Sequence, residues 1–219
     1  MLAVVNVPWL HKEKASTSHE GALYAALDVI GQGDPALAQA IHDDTSPPPF
    51  SAFLNDGLLR IGCLTTDVFL AVAQSRLAHK AARQQEDSFE TLLRKASENP
   101  LSTVKLVFAS PVAFGLNGQS HLLPEPRLVF GSLVRRWRQF DGPEIPDLRK
   151  DETAVISVKI QARKRTLSKY VQYGFTGYAL YRVPEDVACW YHALAMLAEY
   201  SGVGQRTSQG FGRVIYAQK

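Results

Sequence analysis

The residues best suited to chemistry fall in separate parts of the chain. Gly202, Gly204, Gly210 and Gly212 enclose Gln205, Arg206, Thr207, Ser208 and Gln209, a backbone with little Cβ obstruction that carries hydroxyls and one cation. Such a run can present N–H groups to an anion, or it can be a tight turn between a helix and a strand. His42 is followed by Asp43 and Asp44. A histidine there can be a cation at a helix C-terminus, and one His-Asp-Asp run without a second ligand cluster is weak support for a metal. Residues 159–169, KIQARKRTLSK, carry five basic side chains and no acid. With Tyr170 and Tyr173 close behind, this stretch can meet phosphates and stack on unpaired bases, or it can be a solvated hairpin tip.

The elements around these residues decide what the glycine run can be. Val187, Trp190, Tyr191, Leu194, Leu197 and Ala198 recur at steps of three and four, so a helix runs into Gly202, where a left-handed cap is expected. Arg213-Val-Ile-Tyr-Ala then reads as a strand. A dinucleotide-binding fingerprint needs the opposite order, strand then helix, and a phosphate-binding P-loop needs Gly-Lys-Ser/Thr. Neither fits.

From the N-terminus, LAVVNVP reads as a strand and Leu23, Leu27 and Ile30 as one helical face. Asp34-Pro35 supplies a cap and first-turn proline for a second short helix ending near His42. Pro47, Pro48 and Pro49 bar helix beyond it. FSAFLND and LLRIGCL form a hairpin around Asp56-Gly57, and Thr66 or Asp67 caps the next helix. SFETLLRKA is helical, but no convincing fourth strand is legible between Lys80 and Val104, which leaves room for a trimmed first domain. The second half repeats the order: TVKLVFA, then a helix with Phe130, Leu133, Trp137 and Phe140 inward, then TAVISVKIQA paired with VQYGFTGYALYRV, and the final helix and strand. Two halves of β-α-β-β-α-β order predict an α/β (α+β) protein of two tandem ferredoxin-like, RRM-like domains, 1–100 and 101–219.

Hydrophobic content of 46% and charged content of 21% in 219 residues are those of a folded globular chain. The net charge of +3 is modest but unevenly spread. His192 and Glu199 interrupt the longest apolar stretch too soon for a membrane span. The N-terminus lacks the cationic lead of a signal peptide, so a cytoplasmic protein with no membrane partner is expected. Cys63 and Cys189, far apart in apolar settings, read as buried thiols rather than as a disulfide or a metal pair.

The chain resembles the CRISPR repeat-processing endoribonucleases of the RAMP superfamily. LYAALDVIGQGDPALAQAIHDD with PPPFS, SFETLL with VKLVFASPVAF, LPEPRLVFGSLVRRWRQF, and YGFTGYALYRV with GVGQRTSQGFGRV carry the likeness. The resemblance implies two ferredoxin-like domains, and an RNA groove between two facing sheets that the glycine loop lines. It implies metal-independent cleavage within each repeat of a precursor transcript, leaving a 2′,3′-cyclic phosphate and a 5′-hydroxyl. It also implies retention of the product as guide RNA, with no cofactor. Such a reaction needs a base for the 2′-hydroxyl, an acid for the leaving 5′-oxygen, and cations or donors for the phosphorane. Histidine suits the first two, because its ordinary pKa of about 6.5 populates both forms near neutrality.

By the same resemblance His42 is the principal acid/base residue, and Tyr24 occupies a position where relatives carry an assisting side chain. The implied RNA contacts are Arg135 and Arg138 on the Trp137 helix, Arg163, Lys164, Arg165 and Lys169 at the hairpin, and Gly204, Gln205, Arg206, Ser208, Gly210 and Gly212 in the loop. Relatives often place a lysine just before the Pro-Phe pair. Prolines stand there in this chain, so the cation must come from elsewhere; Lys12, Lys14 and His19, in the loop before the first helix, are candidates to approach His42, and the sequence does not choose among them. The partner implied is CRISPR repeat RNA, with other subunits of a CRISPR effector complex as further partners. The alternative is a catalytically silent guide-RNA-binding subunit of such a complex.

Overall fold

The computed structural model describes residues 1–9, 20–55, 57–78, 83–116, 118–166 and 171–217. Lys12, Lys14, His19, Asp56, Lys169 and Tyr170 lie outside them.

The first domain runs β1 (Leu2–Pro8), α1 (Glu20–Gly33), α2 (Pro35–Asp43), β2 (Phe50–Asn55), β3 (Leu58–Cys63), α3 (Thr66–Gln74) and β4 (Arg83–Asp87). Its antiparallel sheet has the order β2-β3-β1-β4. The fourth strand corrects the sequence reading. Arg83-Gln-Gln-Glu-Asp has no β-branched or aromatic residue, so intrinsic preference gives no signal. The strand forms because β1 offers an unpaired edge, along which Leu2–Asn6 bond to Asp87–Arg83. Local capping is more orthodox. The Asp34 side chain accepts from Leu37 N–H with Pro35 as the first helical residue, while Thr65, and neither Thr66 nor Asp67, caps α3.

The chain continues through α4 (Phe89–Ser97) into the second domain, with β5 (Thr103–Val112), a small hairpin of β6 (Phe114–Leu116) and β7 (Gln119–His121), α5 (Pro126–Gln139), β8 (Ala154–Thr166), β9 (Val171–Arg182), α6 (Ala188–Ser201) and β10 (Val214–Tyr216). Its sheet has the order β10-β5-β9-β8. In both four-stranded sheets the outer strands are the second and fourth of that sheet in chain order and the inner pair the first and third. The architecture is therefore tandem ferredoxin-like.

The sheets do not face each other as expected. One face of the first sheet carries α1 and α3, with Ala3, Val5 and Val7 in that core. The alternate residues Leu2 and Val4 belong to a second core, shared with α4, α5, α6 and the inner face of the second sheet. This explains why β1 is apolar without a break from Leu2 to Val5: with period-two alternation each face serves a different core. At about 1.5–3 kcal/mol per buried aliphatic side chain, both faces are needed to hold the domains together.

The joint is sealed at the end of α6, whose last carbonyls have no helical partner. Arg60 Nη2 donates to Glu199 O at 2.9 Å and Ser51 Oγ to Tyr200 O at 2.5 Å, a cation and a hydroxyl from the first sheet at the negative end of the helix. Gly62 makes the approach possible, since a Cβ there would lie 2.0 Å from Tyr200 O. No helix among the described residues is long and apolar enough to cross a membrane. Cys63 and Cys189 are unbridged, and burial pushes the Cys63 thiol up to about 12.

Candidate nucleic-acid interface

A cleft of about 690 Å³ opens between the two domains on the side of α1, α2 and α5. α1 buries Ala22, Ala25, Ala26, Val29 and Ile30 in the first core, which turns Tyr24 outward at 61% exposure. α2 is anchored by Ile41, and the next residue, His42, projects into the cleft beside Tyr24. The His42 side chain is 61% exposed, and its Nδ1 lies 3.1 Å from Asp43 Oδ1. An exposed pair of this kind contributes little stability, but it orients the ring. Nε2 is then the nitrogen available to a ligand. Hydrogen bonds from Gln39 and then His42 hold the Asp43 carboxyl below the usual carboxylate range, and the Ser46 backbone N–H does the same for Asp44. Both acids are thus engaged locally, and among the described residues no three His, Cys, Asp or Glu side chains converge.

After Asp44 the chain becomes extended and runs through Pro47 and Pro48 along the cleft. Proline carbonyls remain as acceptors, and side chains from the opposite wall satisfy them. Arg136 Nη1 donates to Pro48 O at 3.1 Å and Gln139 Nε2 to Pro47 O at 3.2 Å. The second arm of Arg136, Nη2, donates to Thr207 Oγ1 at 3.0 Å. One guanidinium therefore ties α5, the proline segment and the glycine loop. Burial, with Arg135 alongside, brings its pKa down to about 10, which leaves it charged at neutral pH.

Arg136 was missed in the sequence, although a signal existed. Val129, Leu133, Arg136 and Phe140 recur at steps of three and four, so a basic residue occupies an inward position of an apolar stripe. A cation from the second domain thus meets the backbone just before Phe50. Arg135 is exposed on the cleft wall. Arg138 is not in the cleft. Three helical residues rotate it by about 60° from Arg135, and it borders a shallow hollow with Ile145 and Asp147.

The glycine loop lines the cleft through Gly204, Gln205, Arg206 and Ser208, whereas Gly210 and Gly212 are buried behind it. Unhindered N–H groups were expected, and most prove to be committed to the protein. Gln205 N–H donates to Ala113 O at 2.9 Å, Gly210 N–H to Ala52 O at 3.0 Å and Gly212 N–H to Pro111 O at 2.9 Å. The glycines serve close packing: a Cβ on Gly212, at φ 76°, would lie 2.3 Å from Val203 O. What the loop offers outward is side chains. Arg206 itself holds a left-handed backbone at φ 57°, supported by its Nη1 bond to Gln209 Oε1 at 2.9 Å. Such a conformation costs on the order of 1 kcal/mol for a residue with a Cβ.

Arg163, Lys164 and Arg165 lie on β8 opposite Gly174, Tyr173 and Gln172, exposed and outside the cleft. Strand alternation separates them, Arg163 and Arg165 on one face and Lys164 on the other.

The CRISPR-associated endoribonuclease Cas6 family matches residues 106–214, about half of the chain and nearly all of the second domain. A CRISPR-associated endoribonuclease Cas6 of Mycobacterium tuberculosis is 28% identical over 141 residues, 55% of this chain and 45% of that protein, so the match spans a little under half of the relative. A solved Cas6 product complex superposes with a TM-score of 0.78 at 24% identity over 99% of both chains. Thermus thermophilus Cas6 superposes with a TM-score of 0.73 at 22% identity, covering 99% of this chain and 97% of that one. At such identities the two structures speak for the fold.

Proposed function

We propose that this chain, which belongs to the CRISPR-associated endoribonuclease Cas6 family, binds CRISPR repeat RNA in the cleft between its domains and cleaves it once. The observation that carries the reading is spatial. His42 and Tyr24, on different helices, are both exposed and both line the cleft that Arg135, Arg136 and the glycine loop close from the other side.

The chemistry is transesterification without a metal. The 2′-oxygen forms a bond to the adjacent phosphorus and gives up its proton, the bond to the 5′-oxygen breaks, and that oxygen takes a proton. A 2′,3′-cyclic phosphate and a 5′-hydroxyl result. Nε2 of His42 serves one of the two proton transfers, and the Tyr24 hydroxyl is placed to assist the other. Arg135 is exposed enough to meet the phosphate, and the charge of Arg136, fixed at the cleft floor, stabilises the phosphorane there. The cationic hairpin of Arg163, Lys164 and Arg165 and the side chains of Gln205 and Arg206 hold the RNA on either side, whereas Ser208 lines the cleft but is buried. Product is retained, because these contacts are made to phosphates that cleavage leaves in place.

Incubation of the protein with its repeat RNA in EDTA tests the reading. A single cut that requires the 2′-hydroxyl at the scissile position and disappears in His42→Ala supports it. Tight binding without product would leave a silent guide-RNA-binding subunit of a CRISPR effector complex. One argument for that alternative, a trimmed first domain, falls with the observed β4.

A further inference from the structure

The inner face of the second sheet is fully occupied by α5 and α6, with Leu106, Phe108, Ala179 and Tyr181 at 1% exposure or less. Its outer face carries no covering element among the described residues, and its side chains are exposed or half-buried. The register sets them in transverse rows. Ile215, Val107, Tyr178 and Lys159 form one row across all four strands. Lys105, Leu180 and Ser157 form the next. The Lys105 Nζ sits 5.0 Å from the centroid of the Tyr178 ring.

The charge on this face is one-sided. The four strands TVKLVFASPV, AVISVKIQARKRT, VQYGFTGYALYR and VIY contain no Asp or Glu. Neither Lys105 nor Lys159 forms an ion pair among the described residues. Beside Lys105 lies a groove of about 270 Å³ lined by Tyr178 and Leu180, with Thr103 and Ser157 as hydroxyl donors and no carboxylate in its lining. At one end it reaches Tyr216, whose hydroxyl bonds His192 Nδ1.

The geometry points to this outer face as a second polynucleotide surface, separate from the cleft, on which single-stranded RNA seats an unpaired base against Tyr178 and its phosphates on Lys105 and Lys159. An open four-stranded sheet with an aromatic ring on an inner strand is suited to base stacking. Flanking cations and the absence of acids suit the backbone of a single strand. Outward side chains recur about every 6.8 Å along a strand, so the face spans several nucleotides. A protein partner of ordinary mixed charge would find no carboxylates here to meet its own cations. The surface does not depend on cleavage in the cleft.

The test uses the intact protein and an unstructured, fluorescein-labelled uridine 12-mer containing 4-thiouridine. Wild type should bind with an affinity that falls as salt rises. Lys105→Gln/Tyr178→Leu should bind about tenfold more weakly with a shallower salt slope, while Tyr178→Phe, which keeps the ring, stays near wild type. Crosslinks should map to peptides from 103–112 and 171–182, and the double variant should still cut the minimal repeat, which reports that it folds. Undiminished 12-mer binding by the double variant, crosslinks confined to the cleft, or no 12-mer binding by wild type at low salt would each overturn the proposal. So would a concentration-dependent dimer of wild type that Tyr178→Leu dissociates, since that would assign the face to a second copy. Loss of repeat cleavage with 12-mer binding intact would count against the cleft reading alone.

Discussion

Tyr200, on the last turn of α6, donates its hydroxyl to Asp87 Oδ2 of β4 at 2.5 Å, so the two domains share a buried hydrogen bond to a carboxylate. Lys95 Nζ from α4 reaches the other oxygen of Asp87 at 2.6 Å, and Gln85 Nε2 donates to the Tyr200 hydroxyl at 2.8 Å. The least strand-like segment of the sequence is thereby fixed by side chains as well as by its ladder.

Tyr200→Phe removes the hydroxyl and keeps the ring. A hydrogen bond to a charged group is worth about 1.5–3 kcal/mol, and about 2–4 °C accompanies each kcal/mol in a domain of this size. The melting temperature should fall by about 3–12 °C. Burial pushes the Asp87 carboxyl upward, but Lys95, Tyr200 and Gln85 outweigh it, and its pKa is lowered. The stability this gives is present above the unfolded carboxylate value of about 3.9 and is lost as acid protonates the folded group. The gap between variant and wild type should therefore narrow in acid, which melts from pH 7 to pH 3 would show.

At alkaline pH the sign reverses. Burial pushes the hydroxyls of Tyr181, Tyr191 and Tyr200 upward, Tyr216 to about 12 and the Cys63 thiol to about 12. The folded chain keeps these protons while the unfolded chain releases them near its ordinary values of about 8.5 and 10. Stability should be intact below pH 8 and decline steadily from about pH 9 to 12. Urea titrations across that range check it, and a flat profile would contradict the buried placement of these hydroxyls.

Arg136→Met leaves Pro48 O and Thr207 Oγ1 without their donor. The expected cost is about 2–3 kcal/mol of stability, with cleavage reduced at least 100-fold, the order seen when one preorganised donor to a developing anion is lost. Arg136→Lys keeps a charge but cannot span both acceptors, and should recover stability better than rate. Single-turnover cleavage beside thermal melts separates the two effects.

His42→Ala should leave the melting temperature within about 1–2 °C, because the side chain is exposed and makes one surface contact. Cleavage should fall by about 10²–10⁴-fold, with repeat affinity within a few fold of wild type. Tyr24→Phe should cost less than His42→Ala in rate and nothing in stability, given its 61% exposure. Equal loss of binding and rate in either variant would assign the residue to RNA binding alone.

Part of the site was legible because its residues lie at boundaries that local rules describe. Asp34-Pro35 starts α2 and so determines where His42 emerges, and the apolar stripe of α6 sets the position of Gly202, which caps the helix at φ 66°. The basic run at 159–165 was equally visible, but strand alternation divides its side chains between two faces. Arg136 could be read as inward from its helical spacing, yet nothing in the sequence names Pro48 and Thr207 as its partners.

By itself the sequence determined the order of the helices and of the strands other than Arg83–Asp87 and the hairpin at 114–121, together with the caps at Asp34 and Gly202, because those follow from side-chain period and from backbone preferences within a few residues. Tertiary structure alone decided the rest. It made Arg83–Asp87 a strand by giving it an edge to complete. It filled the space between the two sheets with α6, which packs against both. It also brought a guanidinium from α5 to the proline segment, 88 residues distant in the chain, where backbone carbonyls without a helical or strand partner required a donor.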